Sequence, residues 1–81
     1  MIRITLYGRA ECHLCHEMRA VVDEVASGWS LAIEEVDVDA DEALRRAYGD
    51  DVPVLCINGR KAFKHRLDAG ALRARLAREV E

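Results

Sequence analysis

A chain of 81 residues has room for one hydrophobic core and not two, so residues 1–81 are read as a single domain. Its net charge of −3 gives no overall attraction to nucleic acid or to an anionic membrane, and no run reaches the ~18 apolar residues of a membrane span. Arg3 and the strand-like run behind it make a secretory leader unexpected. Three cysteines, an odd number, fit a secreted disulfide framework poorly, so a reducing cytoplasm is expected. The charge is uneven: residues 1–59 hold five Lys/Arg and twelve Asp/Glu, and residues 60–81 hold seven and three. The basic final stretch is read as a solvated helix face, with docking to an acidic partner as the alternative.

Ile2–Tyr7 alternates and predicts a strand. After the loop 8–11, residues 12–27 predict a helix whose Leu14, Met18, Val21, Val22 and Val25 form one apolar stripe, stopped at Ser27-Gly28. Leu31–Val38 reads as a second strand with a slipped alternation, as a parallel strand covered on both faces allows. Asp39 with Glu42 resembles a capping box for a helix running through Tyr48 to Gly49. Pro53 fits the first position of the short strand Val54–Ile57, and Asn58-Gly59 predicts a hairpin into Arg60–Phe63. Asp68 then caps a last helix that turns Leu72, Leu76 and Val80 to the core. The order is β-α-β-α-β-β-α, an α/β fold. Its first two strands should be parallel through a right-handed crossover and its last two an antiparallel hairpin.

The chemistry concentrates at Cys12-His13-Leu14-Cys15, where the first strand gives way to the first helix. A Cys-x-x-Cys opening the first helix of a βαβ unit reads as a redox dithiol. The helix N-terminus carries unpaired N–H groups and about half a positive charge, which stabilises a thiolate at Cys12. Cys15 lies three residues on and shares a helix face with Cys12, within reach of a disulfide. His13, if protonated, favours the same thiolate; the alternative is an exposed side chain of little effect.

The same residues allow other uses. Cys12 and Cys15 as two buried small residues would ignore their placement at a helix start. Cys12-His13-Leu14-Cys15-His16 matches a c-type haem attachment pattern, but export and a distal ligand are not evident beyond Met1 or Met18. A closed zinc site needs four ligands, and there is no second Cys-x-x-Cys, so no metal site is expected. His16 is read as a solvated helix residue, and His65 is left open. Cys56, between Leu55 and Ile57, is read as core, with a regulatory thiol as the alternative. Trp29, Tyr48 and Tyr7 are read as packing residues.

Taken together, Leu6-Tyr7-Gly8-Arg9 before the dithiol, Val52-Pro53, Asn58-Gly59 and Asp68 make the chain resemble the glutaredoxins, and most closely the small bacterial glutaredoxin-like proteins. The resemblance covers nearly the whole chain. It implies a thioredoxin-like fold with a four-stranded mixed sheet flanked by three helices. It also implies Cys12 as nucleophile, Cys15 as resolving thiol, and a cis bond at Val52-Pro53 facing them. In such proteins the backbone before that proline pairs with an extended peptide such as glutathione. Arg9 would contact the glycine carboxylate of glutathione, and Asp68 its γ-glutamyl amine.

The departures are specific. His13 stands where most dithiol members have proline, and Asp51 replaces the usual Thr before Val-Pro. Phe63-Lys64-His65-Arg66-Leu67 fills the place of a Gly-Gly pair that lets glutathione approach the backbone. Leu6 stands where thioredoxins keep a buried carboxylate, so thioredoxin-type proton handling is not expected. The expectation is a monomeric cytoplasmic thiol–disulfide oxidoreductase with no bound cofactor. Glutathione or a protein disulfide would be its partner, with Arg9, His13, Val52, Pro53 and Asp68 around the substrate. The competing class is a non-catalytic thioredoxin-fold binding module, or a carrier of an iron–sulfur cluster shared between two chains and completed by glutathione.

Overall fold

The structure, a computed structural model, describes residues 1–80. Strand β1 (Ile2–Gly8) leads into helix α1 (His13–Ala26), and strand β2 (Leu31–Asp37) returns parallel to β1. A one-turn 3-10 segment (Val38–Ala40) and helix α2 (Glu42–Tyr48) follow. Strands β3 (Val54–Ile57) and β4 (Arg60–Lys64) form the hairpin, and helix α3 (Ala69–Glu79) closes the chain. The sheet order is β2-β1-β3-β4, with β3 antiparallel to both its neighbours. This is the mixed four-stranded sheet with three helices expected of a thioredoxin-like fold.

Alternation sorts the side chains between two faces. Ile2, Ile4 and Leu6 of β1 and Leu55 and Ile57 of β3 meet Met18, Val22 and Val25 of α1 and Leu72 and Leu76 of α3. The other face carries Thr5, Tyr7, Val54 and Cys56, and α2 reaches it through Tyr48, whose ring stacks on Tyr7. At the hairpin, Asn58 and Gly59 both take positive φ, 50° and 85°, as a tight two-residue turn requires. The Asn58 side chain accepts the Arg3 N–H at 3.0 Å, and its own N–H donates to the Arg3 carbonyl at 2.9 Å, fixing the turn to β1.

Several boundaries differ from expectation. Helix α1 begins at His13, because Cys12 is its extended N-cap rather than its first residue. Helix α2 is capped by Asp41, whose carboxylate accepts the N–H groups of Ala43 and Leu44, and not by Asp39. The reason is the 3-10 turn: Asp37 caps it by accepting the Asp39 N–H, which delays the helix by two residues and frees the Asp39 side chain. Strand β2 lies at the sheet edge, and it is not covered on both faces: Ala32 and Glu34, which share one face, are exposed. Its apparent slip has a cause. Leu31, Ile33 and Glu35 share one face, and at the third position an ion pair from Glu35 to Arg19 of α1 at 3.0 Å takes the place of apolar contact. Val80 does not face the core; it is the C-cap of α3 and lies 63% exposed.

Candidate functional site

Cys12 ends the loop from β1 in an extended conformation, φ −134° and ψ 105°, and its carbonyl accepts the first helical bond of α1, from His16 N–H at 3.2 Å. Its Sγ accepts the backbone N–H of Cys15 at 3.1 Å. The sulfur thus occupies the place where a Ser or Asp side chain usually caps a helix, on the side where N–H groups converge. The two cysteines are joined by a disulfide, with their Cα atoms 5.2 Å apart and both side chains half-buried.

Facing this turn is Pro53, buried and preceded by a cis peptide bond from Val52, as the resemblance implies. The Pro53 carbonyl accepts the N–H of His65 at 2.8 Å. His65 holds φ at +68°, a conformation that favours glycine. The bulky run that replaces Gly-Gly therefore keeps a glycine-like backbone at one position, and that backbone is tied to the cis proline. Lys64 reaches Asp51 at 3.7 Å, so the charge introduced before Val52 has a neighbouring counter-ion.

An open cleft of about 210 Å³ runs beside the dithiol, lined by Tyr7, Gly8, Arg9, Cys15, His16 and Pro53, with Glu35 and Asp37 of β2 on its far wall. Of the residues singled out from sequence, Arg9, Cys15 and Pro53 meet there. Arg9 is already engaged: its Nε donates to both carboxylate oxygens of Asp39 at 3.2 Å. Asp39 also faces Arg45 Nε at 3.4 Å, so one carboxylate joins the β1–α1 loop to α2.

His13 and Asp68 lie off this cleft. The His13 imidazole is 88% exposed, with Nε2 3.9 Å from Glu17 one turn along the helix. Asp68 caps α3, its Oδ2 accepting the Ala71 N–H at 2.9 Å. Cys56 is buried on the α2 face of the sheet. Burial pushes its thiol pKa up, with the Lys61 ammonium pulling partly the other way. Among the described residues, no group of three or more His, Cys, Asp or Glu converges to hold a metal ion, and no helix is long and apolar enough to cross a membrane.

Three features of the site are set by the tertiary structure. The Arg9–Asp39 contact spans thirty residues of chain, and nothing local signals it. The Tyr7–Tyr48 stack, with centroids 4.1 Å apart and planes at 15°, brings two packing residues together on the thinner face. Gly8, expected at the end of the first strand and the start of the loop 8–11, lies directly under Cys15. Its signal was present: a residue without a side chain closing a strand just before a reactive loop marks a place of close backbone approach.

The comparisons with known proteins agree with this geometry. The family model described as a glutaredoxin-like domain (DUF836) matches residues 3–77. An uncharacterised protein of Mycobacterium tuberculosis is 32% identical over 83 aligned positions, which cover 96% of this chain and 86% of that protein. Among solved structures, a structural-genomics target from X. campestris superposes with a TM-score of 0.79 at 39% identity, covering 93% of this chain and 96% of that one. Protein Ne2328 of Nitrosomonas europaea gives 0.79 at 32%, covering 91% and 89%. A mutant thioredoxin from Halobacterium salinarum gives 0.70 at 27%, covering 99% of this chain and 75% of that one. With a dithiol at a helix start, a cis proline opposite it and a family match across nearly its whole length, the chain belongs to the glutaredoxin-like family of the thioredoxin fold.

Proposed function

We propose that the protein is a thiol–disulfide oxidoreductase, with Cys12 as nucleophile and Cys15 as resolving thiol. The observation that carries this reading is the Cys12 sulfur at the N-cap of α1, taking the Cys15 N–H, with Cys15 close enough to close a disulfide. In the reduced protein the same cap position favours a thiolate, the nucleophilic form. The Cys12 thiolate attacks one sulfur of a substrate disulfide, forms a mixed disulfide, and releases the other sulfur as a thiolate. The Cys15 thiolate then attacks Cys12, closes the Cys12–Cys15 disulfide, and releases the second substrate sulfur. Two electrons have passed to the substrate, and a glutathione or flavoprotein-linked dithiol system returns them to the enzyme.

Val52 and Pro53 present the backbone against which an extended substrate lies. Arg9 on the cleft wall offers positive charge to a carboxylate, while His13 and Asp68, which lie off the cleft, are met only by a substrate that extends past it. The substrate favoured is a protein disulfide, with glutathione as the reductant. Asp68 is engaged as a cap, Arg9 is held by Asp39, and side chains stand where glutathione-binding relatives keep glycines. The enzyme works as a single chain in the cytoplasm, without a bound cofactor, nucleic acid or membrane.

The test is the intact mass of the protein across a series of glutathione redox buffers, with free thiols capped after an acid quench. The expected result is reversible loss of one hydrogen from each of Cys12 and Cys15 at a defined potential, and a glutathione adduct on Cys12 in Cys15→Ser. Thiols that stay reduced and unmodified throughout would exclude the enzyme, leaving a binding module or cluster carrier.

A further inference from the structure

A methyl group placed on Gly8 would sit 2.9 Å from the sulfur of Cys15 and 3.2 Å from its Cβ. The first distance is far inside van der Waals contact, so something must move. Neither flank yields easily. Gly8 pairs with Asp37 in the β1–β2 ladder, and its neighbour Tyr7 pairs with Val54 in β3. On the other side, α1 is seated by Met18 and Val22, one and two turns beyond Cys15, at 2% and 0% exposure. The sulfur is the part that gives.

We propose that Gly8 is a positioning residue for the resolving thiol: its bare Cα is the seat that lets the Cys15 sulfur stand within bonding distance of Cys12. This rests on the reading that the dithiol cycles. The effect is unequal between the two redox states. In the disulfide, the Cys15 sulfur is bonded to Cys12 and has no rotamer to escape into. In the dithiol it is free to rotate about χ1 into another staggered well. A side chain at position 8 therefore disfavours the disulfide relative to the dithiol, and slows the attack of Cys15 on a mixed disulfide at Cys12.

The experiment is a redox titration of Gly8→Ala against reduced and oxidised glutathione, read by capped intact mass. In it the two protein thiols give two electrons and two protons to oxidised glutathione, which leaves as two glutathione thiols. The equilibrium constant for the protein disulfide should fall about tenfold, close to 30 mV toward a more oxidising couple. An unchanged constant overturns the proposal. Thermal melting guards against a variant that is merely misfolded. The melting temperature lost to Gly8→Ala should be largest in the oxidised protein, smaller in the reduced protein, and smaller again in Cys15→Ala, where the sulfur is gone. Equal losses in all three would make Gly8 a structural glycine only and overturn the proposal. If the dithiol of the unsubstituted protein never oxidises in the buffers, the oxidoreductase reading falls. The comparison of melting in the reduced protein with Cys15→Ala then still decides whether Gly8 seats that sulfur.

Discussion

The two faces of the sheet are built to different standards. The face under α1 and α3 is closed by ten apolar residues, none more than 7% exposed, drawn from two strands and two helices. The face under α2 is roofed by a seven-residue helix that contributes no fully buried residue, and it closes through the Tyr7–Tyr48 stack with Lys61 5.2 Å above the Tyr48 ring. The thick face holds the helix that carries the dithiol; the thin face carries a protected thiol, Cys56, and no reactive one. The lesson is that the dithiol sits at the margin of the best-packed part of the molecule. The Cys12–Cys15 turn is half-exposed, yet Met18 and Val22 fix the helix behind it.

The widest test of this contrast is a cavity on the thick face. Ile57→Ala removes a side chain with no exposure and should cost about 2–5 kcal/mol, seen as a fall in urea midpoint at unchanged slope. In a domain this small, whose stability starts near the low end of the usual range, that is enough to populate the unfolded chain at 25 °C. A loss under 1 kcal/mol would mean that the thick face is not what holds the fold.

On the thin face the matching quantity is smaller. A double-mutant cycle on Tyr7→Leu and Tyr48→Leu should give a coupling of about 0.5–1.5 kcal/mol, the range for stacked rings. Independent effects would show that α2 is held by its connections alone.

The smallest effect is one of pH. Burial raises the folded pKa of Cys56 above the ordinary thiol value, and burial followed by neighbouring Tyr48 raises that of Tyr7. For an acid raised in the folded state, the unfolded chain loses its proton first. In the oxidised protein, where Cys12 and Cys15 do not titrate, the Cys56 contribution to stability should therefore be level below the ordinary thiol pKa of about 8.5 and decline as pH rises through it. Cys56→Val should remove the thiol's share of that decline in urea unfolding between about pH 7 and 9.5. Equal slopes in the two proteins would show that Cys56 ionises as freely in the fold as out of it.

The sequence by itself determined the element order, the parallel first pair of strands, the hairpin at Asn58-Gly59 and the dithiol at a helix start. Each is a local matter: apolar period, a residue able to take positive φ, or a side chain that caps. What failed locally failed for a tertiary reason. Asp39 and Asp41 are both good caps two residues apart; the 3-10 turn capped by Asp37 gives the helix to Asp41 and leaves Asp39 free to meet Arg9 and Arg45. Val80 fits the helical period of α3, but the core ends before it. Strand β2 differs because no local pattern says that the face of Ala32 and Glu34 is left open, or that Glu35 on the core-facing side meets Arg19. The tertiary structure also decided which of the site residues come together. Arg9, Cys15 and Pro53 share a cleft, Asp68 and His13 stand away from it, and Gly8 becomes the floor under a sulfur. Such placements depend on the packing of α1 against β1 and on the return of β3 beside it, contacts between residues far apart in the chain; of them, only the bare Gly8 before the reactive loop left a local trace.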